Sequence, residues 1–340
     1  MNASAAPQTP HFGVGEVDSV ERYVTEAIPR FCDRIGLRND FKTLLELCLA
    51  SCRACAKIMP SVLTNGMVDP VPEARTFWRY VGDLLLDKKS EIFGAHHFDA
   101  AMAHLRSGGN VLMVQNHRSG ADTLVWETIA SRYYGYDVAQ DWAYMSGHAV
   151  NLFMVPFMFT AAMRRFQIFS VKYQSMGLDG IANENQMKGQ NLRALRALSK
   201  YARTGGKLIG LYPEGGRGES AMKAGEPQTM CVGLAIGNAY PNLMLLPTYV
   251  DGATNILPVS RNPNEYNEIF VNAQRGKASL TIGEPVMWTK LLSHPLVGAA
   301  ESDEERKALC NQVLSRVAAL APDEGQMGPH ARWMETYLSI

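Results

Sequence analysis

Apolar residues recur at intervals of three and four through the first part of the chain, where Val20, Tyr23, Val24, Ile28 and Phe31 form one series and Phe41, Leu44, Leu45, Cys48 and Leu49 a second. That spacing lines one face of a helix. It continues over residues 75–86, beyond Pro70 and Pro72, and predicts an N-terminal helical domain of three or four helices over residues 1–90. From about residue 91 the pattern changes to short apolar runs at 111–114, 142–145, 166–171, 207–212, 243–250 and 279–282, with Phe270 and Val271 as a further strand signal. Helical stretches at 95–105, 123–131, 183–203 and 228–238 separate them, and the chain closes with helices at 304–320 and near Trp333. Strands spaced by helices of this length predict an α/β fold over residues 91–340, a mostly parallel mixed sheet flanked by helices. No internal repeat and no low-complexity linker interrupts it.

Composition narrows the class without naming a chemistry. A chain of 340 residues with 46% apolar content can bury a substantial core. Lys plus Arg and Asp plus Glu both number 33, so no general attraction to nucleic acid or to anionic lipid is expected. The nearest approach to a membrane span, residues 152–163, is interrupted by Pro156 and falls short of the ~18 apolar residues a spanning helix needs. The expectation is a soluble protein with at most peripheral membrane contact. Residues 1–10 lack both the arginines of a transit peptide and the apolar core of a signal peptide. Cys48, Cys52 and Cys55 share one helical face and read as small buried hydrophobes in a reducing compartment. Cys52 and Cys55 make a single C-x-x-C with no second pair, so neither a metal nor a cofactor is expected.

The candidate chemistry lies in two turns. Asn116-His117-Arg118-Ser119-Gly120-Ala121-Asp122 follows the run at 111–114 and precedes a helix. Ser119 is placed as an N-cap, with Asp122 in the first helical turn. His117 can then fold back onto the Asp122 carboxylate, which would orient the imidazole as a general base. The second stretch, Pro213-Glu214-Gly215-Gly216-Arg217-Gly218-Glu219, follows the run at 207–212, and its glycines suit a backbone that approaches an anion closely. Lys172 follows the run at 166–171 in the same way. Ligand sites of open α/β sheets gather beyond the carboxyl ends of strands, so His117, Lys172 and Arg217 are expected to converge there. Gly216, Gly218 and Ala221 also fit the degenerate G-x-G-x-x-A of dinucleotide sites, but Pro213 precedes the glycines and Asp251 comes too late to meet a ribose.

Together the two turns resemble the glycerolipid acyltransferase superfamily, marked by an Asn-His-x4-Asp block and a later Pro-Glu-Gly block. Within it the soluble, plastid-type glycerol-3-phosphate acyltransferases are similar over roughly residues 90–285, through Ile92-Phe93-Gly94, Asn191 and Arg193, Gly205-Gly206, Pro213 and Gly215-Gly216-Arg217. The resemblance implies transfer of a fatty acyl group from acyl carrier protein or acyl-CoA to the sn-1 hydroxyl of glycerol-3-phosphate, in the cytoplasm or a plastid stroma. It implies His117 and Asp122 as the catalytic pair. Lys172, Tyr173, Glu214, Gly215, Gly216 and Arg217 would hold the acceptor, with Lys172 and Arg217 on its phosphate. Three positions depart from the plastid type: Tyr173 stands for a His, Glu214 for a Ser and Glu219 for a second basic residue. Acylation of 1-acylglycerol-3-phosphate, or a non-catalytic lipid-binding protein of the same fold, therefore remain as alternatives. No Ser sits in a G-x-S-x-G elbow, so direct transfer is expected rather than an acyl-enzyme. Residues 152–163 could line an acyl groove, and Arg193, Arg196, Lys200 and Arg203 could meet an acidic carrier protein.

Overall fold

A computed structural model describes residues 17–62, 66–135, 142–147, 154–168, 184–215, 227–258, 272–291 and 302–322. In chain order the elements are α1 (Val17–Arg34), α2 (Phe41–Val62), β1 (Met67–Val68), α3 (Pro72–Leu85), β2 (Glu91–Phe93), α4 (Ala95–Arg106), β3 (Asn110–Gln115) and α5 (Asp122–Tyr134). There follow β4 (Ala143–Gly147), α6 (Met154–Thr160), β5 (Arg164–Ile168), α7 (Glu184–Ala202), β6 (Leu208–Leu211), α8 (Met230–Ala239) and β7 (Leu243–Asp251). The last are α9 (Ala253–Ile256), β8 (Ser279–Ile282), β9 (Val286–Met287) and α10 (Asp303–Ala318).

The strands form one sheet in the order β1-β5-β4-β6-β3-β7-β8-β2, with β9 on β7. Its middle is parallel, because β3 pairs in parallel with both β6 and β7, and β4 with β5 and β6. The antiparallel pairs, β1 on β5, β8 on β7 and β9 on β7, lie outside this centre. The mixed, mostly parallel sheet predicted from the sequence is thus observed. All six residues of β3 are buried, as a strand covered by helices on both faces requires.

Residues of alternating parity on the strands feed two apolar layers. Val111 and Met113 pack with α3, α4, α5 and α6, and the same layer takes in Val24, Phe31, Leu44 and Cys48 of α1 and α2. Leu112 and Val114 pack on the other face with α7, α8 and α10. Cys48, Cys52 and Cys55 are fully buried in the first layer. Burial pushes the Cys52 thiol up to about 11 and the Cys55 thiol up to about 12, so both stay protonated as small apolar groups. Phe157 and Met158 of α6 are core residues, and Phe159 packs edge-on against Trp78 at 5.5 Å between ring centroids. The apolar stretch at 152–163 is spent on packing wherever it is described. Among the described residues no helix is long and apolar enough to cross a membrane.

Two-residue strands such as β1 and β9 were not anticipated, since alternation needs about four residues to register. The strand signal at Phe270 and Val271 and the helix near Trp333 lie outside the described residues.

Candidate active site

Beyond Gln115 the chain leaves β3 for a turn that is pinned at every step. Asn116 is fully buried, and its side chain extends the β3–β7 ladder: Nδ2 donates to the Val250 carbonyl at 2.9 Å and Oδ1 accepts the Val250 N–H at 2.8 Å. One amide therefore satisfies both backbone groups of a neighbouring strand where regular pairing ends. Ser119 Oγ donates to the Leu257 carbonyl at 2.6 Å and accepts the Ala121 N–H at 3.0 Å. Its hydroxyl thus ties the turn to the segment after α9, and Ser119 is not the N-cap expected from the sequence. Ala121 holds that position without a side-chain cap, and α5 begins at Asp122.

Asp122 reaches back from the first turn of α5 and pins the preceding turn. Its Oδ2 accepts the backbone N–H groups of Arg118 at 2.8 Å and Ser119 at 2.9 Å, and lies 2.9 Å from His117 Nδ1. The Asp122 side chain is 1% exposed and that of His117 is 24% exposed. A carboxylate held by two backbone donors cannot rotate away, so it fixes His117 as the Nδ1–H tautomer and leaves Nε2 as the basic nitrogen. Asp122 reaches into this position from the first turn of its helix, as expected.

The second turn closes on the first from β6. Glu214 is fully buried, and its carboxylate accepts the His117 backbone N–H at 2.7 Å. Tyr212 lays its ring on the His117 imidazole, with centroids 4.2 Å apart and planes inclined by 24°. Its hydroxyl shares a hydrogen bond of 2.5 Å with Thr123 Oγ1, one residue past Asp122. Burial pushes the Tyr212 phenol far above its ordinary value, so it remains a neutral hydroxyl. Gly215 takes a left-handed φ of 62° and donates its N–H to the Tyr212 carbonyl, closing a tight turn. Of the expected acceptor residues, the structure places Glu214 beside His117, with Gly215 next to it in the chain. Lys172, Tyr173, Gly216 and Arg217 lie outside the described residues.

The N–H groups of His117, Arg118, Ser119 and Gly215 are all engaged within the protein, so an anionic ligand atom at this turn would take its donors from other groups.

Beneath the site lies a buried polar layer that the sequence did not reveal. Tyr144 rests on β6 at Gly210, where a Cβ would stand 2.4 Å from the tyrosine ring. Glu127 of α5 is 2% exposed, and burial pushes its carboxyl up to about 7 despite the Arg75 guanidinium 3.9 Å away. Among the described residues no three His, Cys, Asp or Glu side chains gather as a metal site would require. Tyr212 escaped sequence reasoning, its only signal being its place just before the Pro-Glu-Gly turn. Asn116 and Glu214 belong to the two motifs, but their backbone roles were not legible there.

A carboxylate-oriented histidine thus stands at the carboxyl end of a central parallel strand, its backbone held by the Pro-Glu-Gly turn that follows β6. Residues 99–248 match the Acyltransferase family. Over 113 residues the chain is 26% identical to the chloroplastic glycerol-3-phosphate acyltransferase of Phaseolus vulgaris, a match covering 33% of this chain and 24% of that protein. The chain thus matches about a quarter of the length of that relative. The 1-acyl-sn-glycerophosphate (LPA) acyltransferase PlsC from Thermotoga maritima is similar in structure at a TM-score of 0.42 and 16% identity, over 89% of this chain and 93% of that one. The family match and the chloroplastic relative agree with the resemblance to the glycerolipid acyltransferase superfamily read from the two turns.

Proposed function

We propose that this protein is a glycerol-3-phosphate O-acyltransferase that moves a fatty acyl group directly from a thioester donor to the sn-1 hydroxyl. The observation that carries the reading is the 2.9 Å contact between His117 Nδ1 and the immobilised Asp122 Oδ2. His117 Nε2 takes the proton of the acceptor hydroxyl as its oxygen bonds to the thioester carbonyl carbon. The tetrahedral oxyanion then collapses, the C–S bond breaks, and the thiolate takes the proton from the imidazolium. Asp122 orients the ring and stabilises the imidazolium.

In this reading Lys172 and Arg217 bind the acceptor phosphate, Arg as a planar fork and Lys as a point charge. Tyr173, Gly215 and Gly216 line the same site, and Glu214 serves it by fixing the backbone of His117. The donor is acyl carrier protein or acyl-CoA. The partial likeness to the chloroplastic enzyme supports glycerol-3-phosphate as acceptor. The Pro-Glu-Gly turn of the wider superfamily keeps 1-acylglycerol-3-phosphate as the second candidate.

A panel of two donors, acyl-CoA and acyl carrier protein, against two acceptors, glycerol-3-phosphate and 1-acylglycerol-3-phosphate, tests the assignment. The reading expects the larger kcat/KM with glycerol-3-phosphate. Preference for the acylated acceptor would overturn it in favour of the second candidate, and no transfer with any pair would leave a non-catalytic lipid-binding protein.

A further inference from the structure

Arg118 stands beside the base and takes no part in the mechanism above. Its backbone N–H is fixed on Asp122 Oδ2 at 2.8 Å, so its Cα is held as firmly as that of His117. Its side chain is half-buried, and Nε is shut off from solvent with no hydrogen-bond partner. Among the described residues no carboxylate pairs with it, although most other buried or half-buried arginines have a partner. Arg164 pairs with Asp69 at 3.0 Å and Arg132 with Asp83 at 3.4 Å.

A guanidinium that gives up water at Nε without gaining an anion is poorly compensated, and such groups are retained where a ligand supplies the missing charge. Reach decides which ligand. Consecutive Cα atoms lie about 3.8 Å apart, and a planar guanidinium offers a fork that matches two oxygens of a phosphate. Side chains on adjacent residues can meet one small substrate, with a phosphate on Arg118 and a hydroxyl on His117.

We propose that Arg118 is an anion-binding residue of the transfer site and takes a phosphate group of the substrate. This rests on the acyltransferase reading and deepens it, adding a cation from the His117 turn to those expected from Lys172 and Arg217. The phosphate can be that of the acceptor or that of the donor's phosphopantetheine or nucleotide. The chemistry recognised is the same in either case.

The test begins without turnover, so that it stands even if no transfer is found. Binding of inorganic phosphate and of sn-glycerol-3-phosphate is measured by calorimetry on the full chain, for the wild type, Arg118→Lys and Arg118→Gln. Among the described residues the side chain makes no hydrogen bond, so both variants should melt with the wild type. Loss of a charge-assisted bond predicts that Arg118→Gln weakens phosphate binding about ten- to a hundredfold, with Arg118→Lys between. Two kinetic arms then locate the phosphate. An acceptor source predicts that Arg118→Gln loses at least about tenfold more kcat/KM with glycerol-3-phosphate than with glycerol. A donor source predicts the same excess for acyl-CoA over an acyl N-acetylcysteamine thioester, which has no phosphate. Unchanged phosphate affinity, with equal losses within both pairs, would overturn the proposal.

Discussion

The backbone N–H of His117 donates to the buried carboxylate of Glu214 at 2.7 Å, joining two turns 97 positions apart in sequence. The carboxylate of the Pro-Glu-Gly turn is thereby committed to placing the base. Glu214→Ala strands the His117 N–H in a buried setting and should cost about 1.5–3 kcal/mol, while Glu214→Gln keeps an acceptor oxygen and should cost less. Urea unfolding and kcat together check this. A loss below about 0.5 kcal/mol in the alanine variant would show that the carboxylate does not hold the turn.

Tyr212 acts on the same imidazole from the side, by a stack at 4.2 Å and a hydroxyl bonded to Thr123. Tyr212→Phe keeps the ring and loses the tie, whereas Tyr212→Leu loses both. If His117 is the base and Tyr212 only orients it, leucine should lower kcat about tenfold with little change in either KM. The slowly exchanging low-field proton of His117 Nδ1–H should persist in the phenylalanine variant and broaden in the leucine variant. Equal behaviour of the two would leave Tyr212 a packing residue only.

Glu127 sets a pH dependence of stability. Its carboxyl rises from 4.5 to about 7 on folding, chiefly through burial. The folded state therefore holds this proton more tightly than the unfolded chain. The contribution is most favourable below about pH 4.5, is lost as pH rises to about 7, and amounts to roughly 3 kcal/mol in all. Glu127→Gln removes that slope and should be the more stable protein at pH 8. Urea midpoints at pH 5 and pH 8 decide, and parallel slopes in wild type and variant would contradict it.

Much of this site could be read before the fold was known, and the reasons differ by residue. The apolar run at 111–114 marked β3 because a parallel strand buried on both faces leaves no polar position to interrupt it. His117 and Asp122 were legible because their contact is local, across one turn into one helix. Ser119 was misassigned as the cap because its partner, the Leu257 carbonyl, lies 138 residues away and outcompetes the local bond. Asn116 and Val250, 134 residues apart, and Tyr212 and Thr123, 89 apart, are paired by strand order, which no local pattern encodes. The raised Glu127 carboxyl was hidden for the same reason: its burial depends on α3 covering α5.

The central claim is that His117 is the base for direct transfer to a glycerol phosphate hydroxyl. It is tested most directly by steady-state transfer from acyl-CoA to glycerol-3-phosphate with purified His117→Ala, folded as judged by its melting transition. Loss of the general base predicts a kcat lower by roughly 10² to 10⁴. A variant that keeps more than about a tenth of wild-type kcat, well above that range, would contradict the account.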